Sequence, residues 1–117
     1  MEIFQKRIYE ESSETDGFRI LADRLWPRGV SKQKAAIDLW AKEIAPSTEL
    51  RKFYHGKEID FAEFRKKYAA ELAKNPETEN FLEEIRKHKK ITLLTSVKEI
   101  ETSELPVLKE FIEKNAH

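Results

Sequence analysis

The chain has 117 residues, no cysteine, and equal numbers of basic and acidic side chains, 22 of each. This length predicts a single domain over residues 1–117 with one hydrophobic core. The lack of cysteine excludes disulfides, thiol catalysis and iron–sulfur clusters, and the balanced charge argues against binding of nucleic acid. Because no long apolar span or secretory segment is visible, we expect a cytoplasmic protein without a membrane anchor.

The first quarter of the chain predicts two strands joined by a polar loop. Residues 2–10 alternate in part between apolar and charged side chains, which indicates an edge strand. The loop that follows is too short for a helical crossover, so we expect antiparallel neighbours or a link across a sheet edge. Residues 18–25 predict a buried strand rather than a helix, because Trp26-Pro27 favours an extended backbone.

The next segment predicts short elements with polar caps. Ser31 is placed to cap a short helix over residues 32–36. Residues 37–45 fit a strand and a helix almost equally well, and we interpret them as a strand that ends at Pro46. Ser47 or Thr48 then caps a helix that runs through residue 55, with Gly56 at its C-terminal end.

The second half predicts three helices and one strong strand. Asp60 begins a helix with an apolar stripe, and Asn75-Pro76 opens another. Residues 91–97 are β-branched and apolar, and a last helix follows residues 101–104. This alternation predicts an α/β fold, a layered sandwich with a small, largely parallel sheet of about four strands flanked by helices.

The run from Arg19 to Gly29 holds the candidate site, because an apolar strand there ends in a charged, aromatic turn. Ligands of parallel sheets bind beyond the carboxyl ends of the strands, where this turn and residues 95–98 would converge if the two strands were parallel neighbours. Asp23 is the candidate for acid–base catalysis, and arginines suit an anionic substrate. The candidate substrate-binding residues are Arg19, Arg24, Trp26, Arg28, Ser96 and Lys98.

Structural interpretations of the same residues stay open. Asp23 and the arginines fit a network of ion pairs that ties the turn to neighbouring helices, about as well as they fit a binding site. Trp26 fits the core as well as a pocket wall. A further interpretation makes Trp26 and Trp40 the anchors of a homodimer, so the sequence leaves monomer and homodimer open.

Several other chemistries lack their sequence signals. The three glycines form no phosphate-binding loop, and neither Ser96 nor Ser103 lies in a nucleophile elbow. The three histidines, His55, His88 and His117, have no zinc-site spacing, so we expect no metal ion and no cofactor.

A set of motifs spans most of the chain: Asp23-Arg24-Leu25-Trp26-Pro27-Arg28-Gly29 with Ser31-Lys32, Asp38-Leu39-Trp40, Ala45-Pro46-Ser47, Glu49-Leu50-Arg51-Lys52-Phe53, Phe64-Arg65 with Tyr68, Glu71-Leu72, and Thr92-Leu93-Leu94. With these motifs the sequence resembles the YeaO-like family, a group of unknown function, and the likeness covers nearly the whole chain. It implies an α/β fold and no assigned activity. Relatives often carry Lys-Asp and then His-Asn after the late strand, whereas this chain has Lys98-Glu99 and lacks the His-Asn pair.

Two functional hypotheses follow. The first is a small cytosolic protein that binds or acts on an anionic small molecule at the loop of residues 23–28. The alternative is a non-catalytic binding or regulatory module for a protein partner or for nucleic acid. A basic strip formed by Arg24, Arg28, Lys32 and Lys34 would favour this alternative.

Overall fold

A parallel four-stranded sheet organises residues 1–116, the part of the chain that this computed structural model describes. The strands are β1 (Glu2–Arg7), β2 (Phe18–Leu21), β3 (Leu39–Trp40) and β4 (Lys90–Thr95). They lie in the order β1–β4–β2–β3, and each pair of neighbours runs parallel. Helices flank this sheet, which confirms the predicted α/β fold.

Strand β4 lies in the interior of the sheet because residues 91–94 suit burial on both faces. Their side chains alternate between the two faces and are all fully buried. Thr92 tolerates burial because its Oγ1 donates to the carbonyl oxygen of Asp16 over 2.6 Å. The strand predicted at residues 91–97 is therefore confirmed, and it ends two residues earlier than predicted.

The connection from β1 to β2 corrects one of our expectations. The two strands are parallel and β4 lies between them, so the alternative of antiparallel neighbours is wrong. A helix is not needed here, because strands of this length rise only about 20 Å and residues 8–17 are long enough to return across that distance. The link ends at Gly17, where φ is 69° and a Cβ atom would lie 2.5 Å from the carbonyl oxygen of Lys90.

Of the five helices within residues 1–116, four begin directly after a polar residue whose side chain caps them. The five helices are α1 (Lys32–Ala35), α2 (Thr48–His55), α3 (Phe61–Lys74), α4 (Thr78–Ile85) and α5 (Glu104–Asn115). The predicted caps Ser31, Ser47 and Asp60 each accept a hydrogen bond from a backbone N–H of the first turn. Helix α4 begins two residues later than predicted, after a turn in which Asn75 accepts from the N–H of Glu77.

The predicted strand over residues 37–45 is largely wrong. Only Leu39–Trp40 pairs with β2, and the chain then enters a 3₁₀ turn over Lys42–Ile44. The physical reason is that side chains elsewhere bind this backbone: the guanidinium of Arg24 takes the carbonyl oxygens of Ala45 and Pro46. Those carbonyls are therefore satisfied without a sheet partner.

The two faces of the sheet are covered unequally. Helices α2 to α5 cover one face, where Ile20, Ile91 and Leu93 join the larger core. The other face carries a smaller cluster around Leu21 and Leu94, which is covered by α1 and the loop that precedes it. Among residues 1–116, no helix is both long and apolar enough to cross a bilayer.

Candidate functional site

A cavity of about 310 Å³ opens where β2 and β4 end at the carboxyl edge of the sheet. Its walls come from the loop of residues 23–28, from residues 96 and 97 after β4, from α2, and from the start of α5. The edge is the one at which ligands of parallel sheets bind. The side chains whose polar groups matter below are Asp23, Arg24, Arg28, Arg51, His55 and Glu104.

Asp23 joins the two strand ends. Its carboxylate accepts hydrogen bonds from Oγ1 of Thr95 over 2.8 Å and from the backbone N–H of Ser96 over 2.9 Å. The structure thus brings together two of the predicted site residues, Asp23 and Ser96, through the backbone of the second. Both line the cavity and both are half-buried.

Glu104 is the residue that our sequence reasoning missed. It is the first residue of α5, only 6% of it is exposed, and it lines the cavity. Burial raises the pKa of its carboxyl well above the ordinary range, and the neighbouring charge of Asp23 raises it further. In the sequence Glu104 is only an acidic residue after the cap Ser103, a pattern that exposed helix starts share.

Asp23 and Glu104 form what we call the acidic floor of the cavity. Glu104 Oε2 is fully enclosed and meets no hydrogen-bond donor among residues 1–116. Burial beside Asp23 raises the pKa of Glu104, so Glu104 is the carboxyl of this pair that keeps its proton more readily than an exposed carboxyl does. The acidic floor therefore disfavours two negative charges at once.

Arg28, Arg51 and His55 form what we call the basic rim. Arg51 and His55 lie four residues apart on α2 and so share one helix face, while Arg28 is on the loop. Arg28 and His55 are exposed and Arg51 is half-buried, so the three lie nearer to solvent than Glu104 does. Neither Arg51 nor His55 was predicted, because both fall inside a helix whose orientation the sequence does not specify.

Arg24 has a mainly structural position in this cavity. Its Nε donates to the carbonyl oxygen of Pro46 over 3.0 Å and its Nη2 to that of Ala45 over 2.8 Å. Two of its donors are thus committed to the turn before α2. Arg24 also lines the cavity, so the structural interpretation and the binding interpretation are both compatible with its geometry.

Trp26 lies between the cavity and the smaller core. Its indole N–H donates to the carbonyl oxygen of Val30 over 2.7 Å, and its ring meets that of Trp40 edge-on at 5.3 Å between centroids. Trp40 in turn donates its indole N–H to the carbonyl oxygen of Asp23 over 2.7 Å. The two tryptophans therefore hold the loop of residues 23–28 in place within one chain.

Comparison with known proteins identifies the family. A family model described as the inactive DUF488-N3 subclade matches residues 2–117. The chain belongs to this subclade. It is 46% identical over 112 residues to the uncharacterised protein YeaO of Escherichia coli strain K12, which covers 96% of this chain and 97% of that protein. The resemblance to the YeaO-like family is therefore confirmed.

A second relative of this DUF488-N3 protein is an uncharacterised protein of Mycobacterium tuberculosis. The two are 44% identical over 66 residues, which is 56% of each chain. No solved structure matches the chain.

Two of the predicted binding residues of this DUF488-N3 protein do not line the cavity. Lys98 is exposed beyond the end of β4. Arg19 is buried at the other face of the sheet, where its guanidinium contacts Asp16 and the carbonyl oxygens of Ala35 and Ala36. It lies there because alternate residues of a strand face opposite sides, and Arg19 shares the side of Leu21.

The potential metal ligands among the described residues of this DUF488-N3 protein are dispersed rather than clustered. No group of three histidine or acidic side chains within residues 1–116 is arranged to hold a metal ion. His55 lies on α2, whereas His88 follows α4 and stacks on Phe18. The third histidine, His117, lies outside the described residues.

Proposed function

We propose that this protein binds a small anionic molecule in the cavity beside residues 23–28, and that it does so without chemical turnover. The observation that carries the proposal is that two arginines at the cavity have no partner for their guanidinium groups within residues 1–116. Arg28 and Arg51 both line the cavity, and within residues 1–116 their guanidinium groups make no hydrogen bond or ion pair. The guanidinium group of every other arginine donates to a side chain or a backbone carbonyl: Arg7, Arg19, Arg24, Arg65 and Arg86.

A guanidinium group suits this role because it offers a planar fork of donors that matches a carboxylate or a phosphate. The half-buried position of Arg51 strengthens the interaction, because water screens a charge there less than at an open surface. His55, four residues further on α2, adds a third group that can donate to an anion.

The size of the cavity limits the ligand. About 310 Å³ is at the lower end of the range of about 300–1,000 Å³ that small-molecule sites occupy. The proposal therefore concerns a small metabolite rather than a dinucleotide or a polymer. We also propose a cytoplasmic location, which the lack of cysteine supports.

Binding without turnover is favoured by the family description and by the state of Asp23. The matching subclade is described as inactive. Asp23, our candidate for acid–base catalysis, already accepts from Thr95 and Ser96 and borders Glu104. If the ligand is consumed after all, Asp23 is the residue that we propose to transfer the proton.

The test is calorimetric titration and thermal shift with inorganic phosphate, short phosphate esters and small carboxylates. We expect binding that raises the melting temperature by mass action. Arg51→Ala should weaken binding at least tenfold, and Lys52→Ala, the exposed neighbour on α2 that does not line the cavity, should leave it unchanged. Failure of every anion to bind, or equal binding by Arg51→Ala, would overturn the proposal.

The alternative of a nucleic-acid module has weaker support from the geometry. The basic strip that would favour it includes Arg24, whose guanidinium is directed to two backbone carbonyls. Arg28, Lys32 and Lys34 remain exposed without it. Salt-dependent retention on DNA or RNA is the measurement that would raise this alternative above ours.

A further inference from the structure

The acidic floor contains a side chain that the proposed anion does not use. Glu104 is more than nine-tenths buried, lines the cavity, and has an enclosed oxygen without a protein donor. A buried carboxyl that meets no cation within the protein costs stability. A chain that keeps one at the base of a cavity has a site where a ligand can supply the missing hydrogen bond.

The floor is a pair of neighbouring carboxyl groups, and burial beside Asp23 raises the pKa of Glu104. Two of the acceptor positions of Asp23 are taken by Thr95 and Ser96, which hold its carboxylate in place. A carboxylate can accept further hydrogen bonds on its remaining lone pairs, and a protonated Glu104 can both donate and accept. A hydroxyl group matches this pair because it also donates and accepts.

We propose that the cavity is selective for small anions that also carry a hydroxyl group, such as hydroxy acids or polyol phosphates. The anionic end lies at Arg28 and Arg51, and the hydroxyl lies at Asp23 and Glu104. This inference rests on the proposed function and names its ligand class. The separation of charge makes the orientation unique, because an anion placed on the acidic floor would meet the charge of Asp23.

The test compares ligands that share a three-carbon chain and differ in the hydroxyl or amino groups that the chain carries. Calorimetric titration of the full chain uses n-propyl phosphate, glycerol 1-phosphate and 3-aminopropyl phosphate, with propionate and lactate as the matched carboxylates. We expect the hydroxylated member of each pair to bind about tenfold more tightly, the effect of one well-placed hydrogen bond to a charged pair. A larger gain for the amine than for the hydroxyl would overturn the hydroxyl assignment.

Variants of Glu104 test whether the acidic floor causes the preference for hydroxylated anions. Glu104→Met, which has no hydrogen-bonding group, should abolish the preference for glycerol 1-phosphate over n-propyl phosphate. Glu104→Gln, which keeps the shape, should retain part of the preference and serves if the methionine variant does not fold. Glu101→Gln, an exposed acidic residue of the neighbouring turn, is the control and should bind as the wild type does.

The outcomes separate the two proposals. Equal binding of n-propyl phosphate and glycerol 1-phosphate, and of propionate and lactate, would overturn the hydroxyl preference while leaving anion binding intact. An unchanged preference in Glu104→Met would also overturn the assignment to the floor. Failure of all five compounds to bind would overturn anion binding itself, and the hydroxyl preference with it.

Discussion

The molecule buries acidic side chains in two places, and the surroundings shift their pKa values in opposite directions. On the face of the sheet covered by α1, Asp16 contacts both Lys6 and Arg19. Burial opposes its ionisation, but hydrogen bonds from Lys6, from the backbone of Ser13 and from Arg19 outweigh burial and lower its pKa. At the cavity, Glu104 meets no cation, and its pKa is raised well above the ordinary range by burial and by Asp23.

The arginines differ in the same way. Arg19 is buried and directs its guanidinium to Asp16 and to the carbonyl oxygens that end α1, so it is not accessible to a ligand. Arg28 and Arg51, which contact no acid within residues 1–116, lie around the cavity. A satisfied network stabilises the fold, whereas unsatisfied polar groups around one cavity are what a binding site requires.

Among the variants that test this comparison, we expect the largest loss of stability at Asp16. Asp16→Asn leaves the buried guanidinium of Arg19 without its counter-charge, so we expect a loss of about 3 kcal/mol in the free energy of unfolding. Urea denaturation measures this, with the exposed Glu14→Gln as control. A loss below about 1 kcal/mol would mean that the ion pair between Asp16 and Arg19 contributes little to the stability of the fold.

The next effect separates two arginines of one loop. Arg24→Ala removes two hydrogen bonds to buried backbone carbonyls, which should cost about 2 kcal/mol. Arg28→Ala removes an exposed side chain without partners in the described residues and should cost less than about 0.5 kcal/mol, while weakening anion binding. Equal losses of stability in the two variants would contradict the division of the loop into a structural and a binding arginine.

The pH dependence of stability should reveal Glu104. The folded protein holds this proton more tightly than the unfolded chain, so the free energy of unfolding should fall as the pH rises above about 4.5. Glu104→Gln should remove that part of the slope and be the more stable protein at pH 8 by a few degrees in Tm. The measurement is denaturation of both proteins from pH 5 to pH 8.

Other groups near Glu104 do not imitate this slope. The neighbouring charge that acts on Glu104 is that of Asp23, whereas Glu71 and Arg24 act on Tyr68. Tyr68 stays neutral over the whole range because burial raises its pKa further above 10.0. Asp16 acts in the opposite direction and only in acid, where stability is lost as the pH falls through its lowered pKa. Parallel slopes in the two proteins would contradict a buried, protonated Glu104.

Local signals in the sequence predicted much of the fold. The strand at β4 and the caps Ser31, Ser47 and Asp60 were predictable because each depends on a few neighbouring residues. The extent of β3 was not, because the carbonyl oxygens of Ala45 and Pro46, beyond its end, accept from Arg24, some twenty residues away. Local patterns do not contain such long-range competition for backbone carbonyls.

The residues of the candidate site also divide into those that sequence signals predicted and those that depend on the packing of distant helices. The convergence of Asp23 and Ser96 followed from the rule that parallel strands present their carboxyl ends at one edge. Glu104 and Arg51 were missed because each becomes part of the cavity only when α5 and α2 pack on the sheet. Arg19 was grouped with the site by nearness in sequence, whereas alternation along β2 places it on the other face.

The smallest effect on anion affinity is expected at Lys98. It tests whether nearness in sequence to the cavity residues predicts a role in binding. Lys98 follows β4 closely but is exposed and does not line the cavity. Lys98→Ala should therefore change anion affinity by less than twofold, whereas Arg51→Ala on the distant α2 should weaken it at least tenfold. Titrations of both variants with the same anion at one ionic strength make the comparison. A loss in Lys98→Ala that matches the loss in Arg51→Ala would mean that long-range attraction rather than contact governs binding, and raising the salt concentration would then remove it.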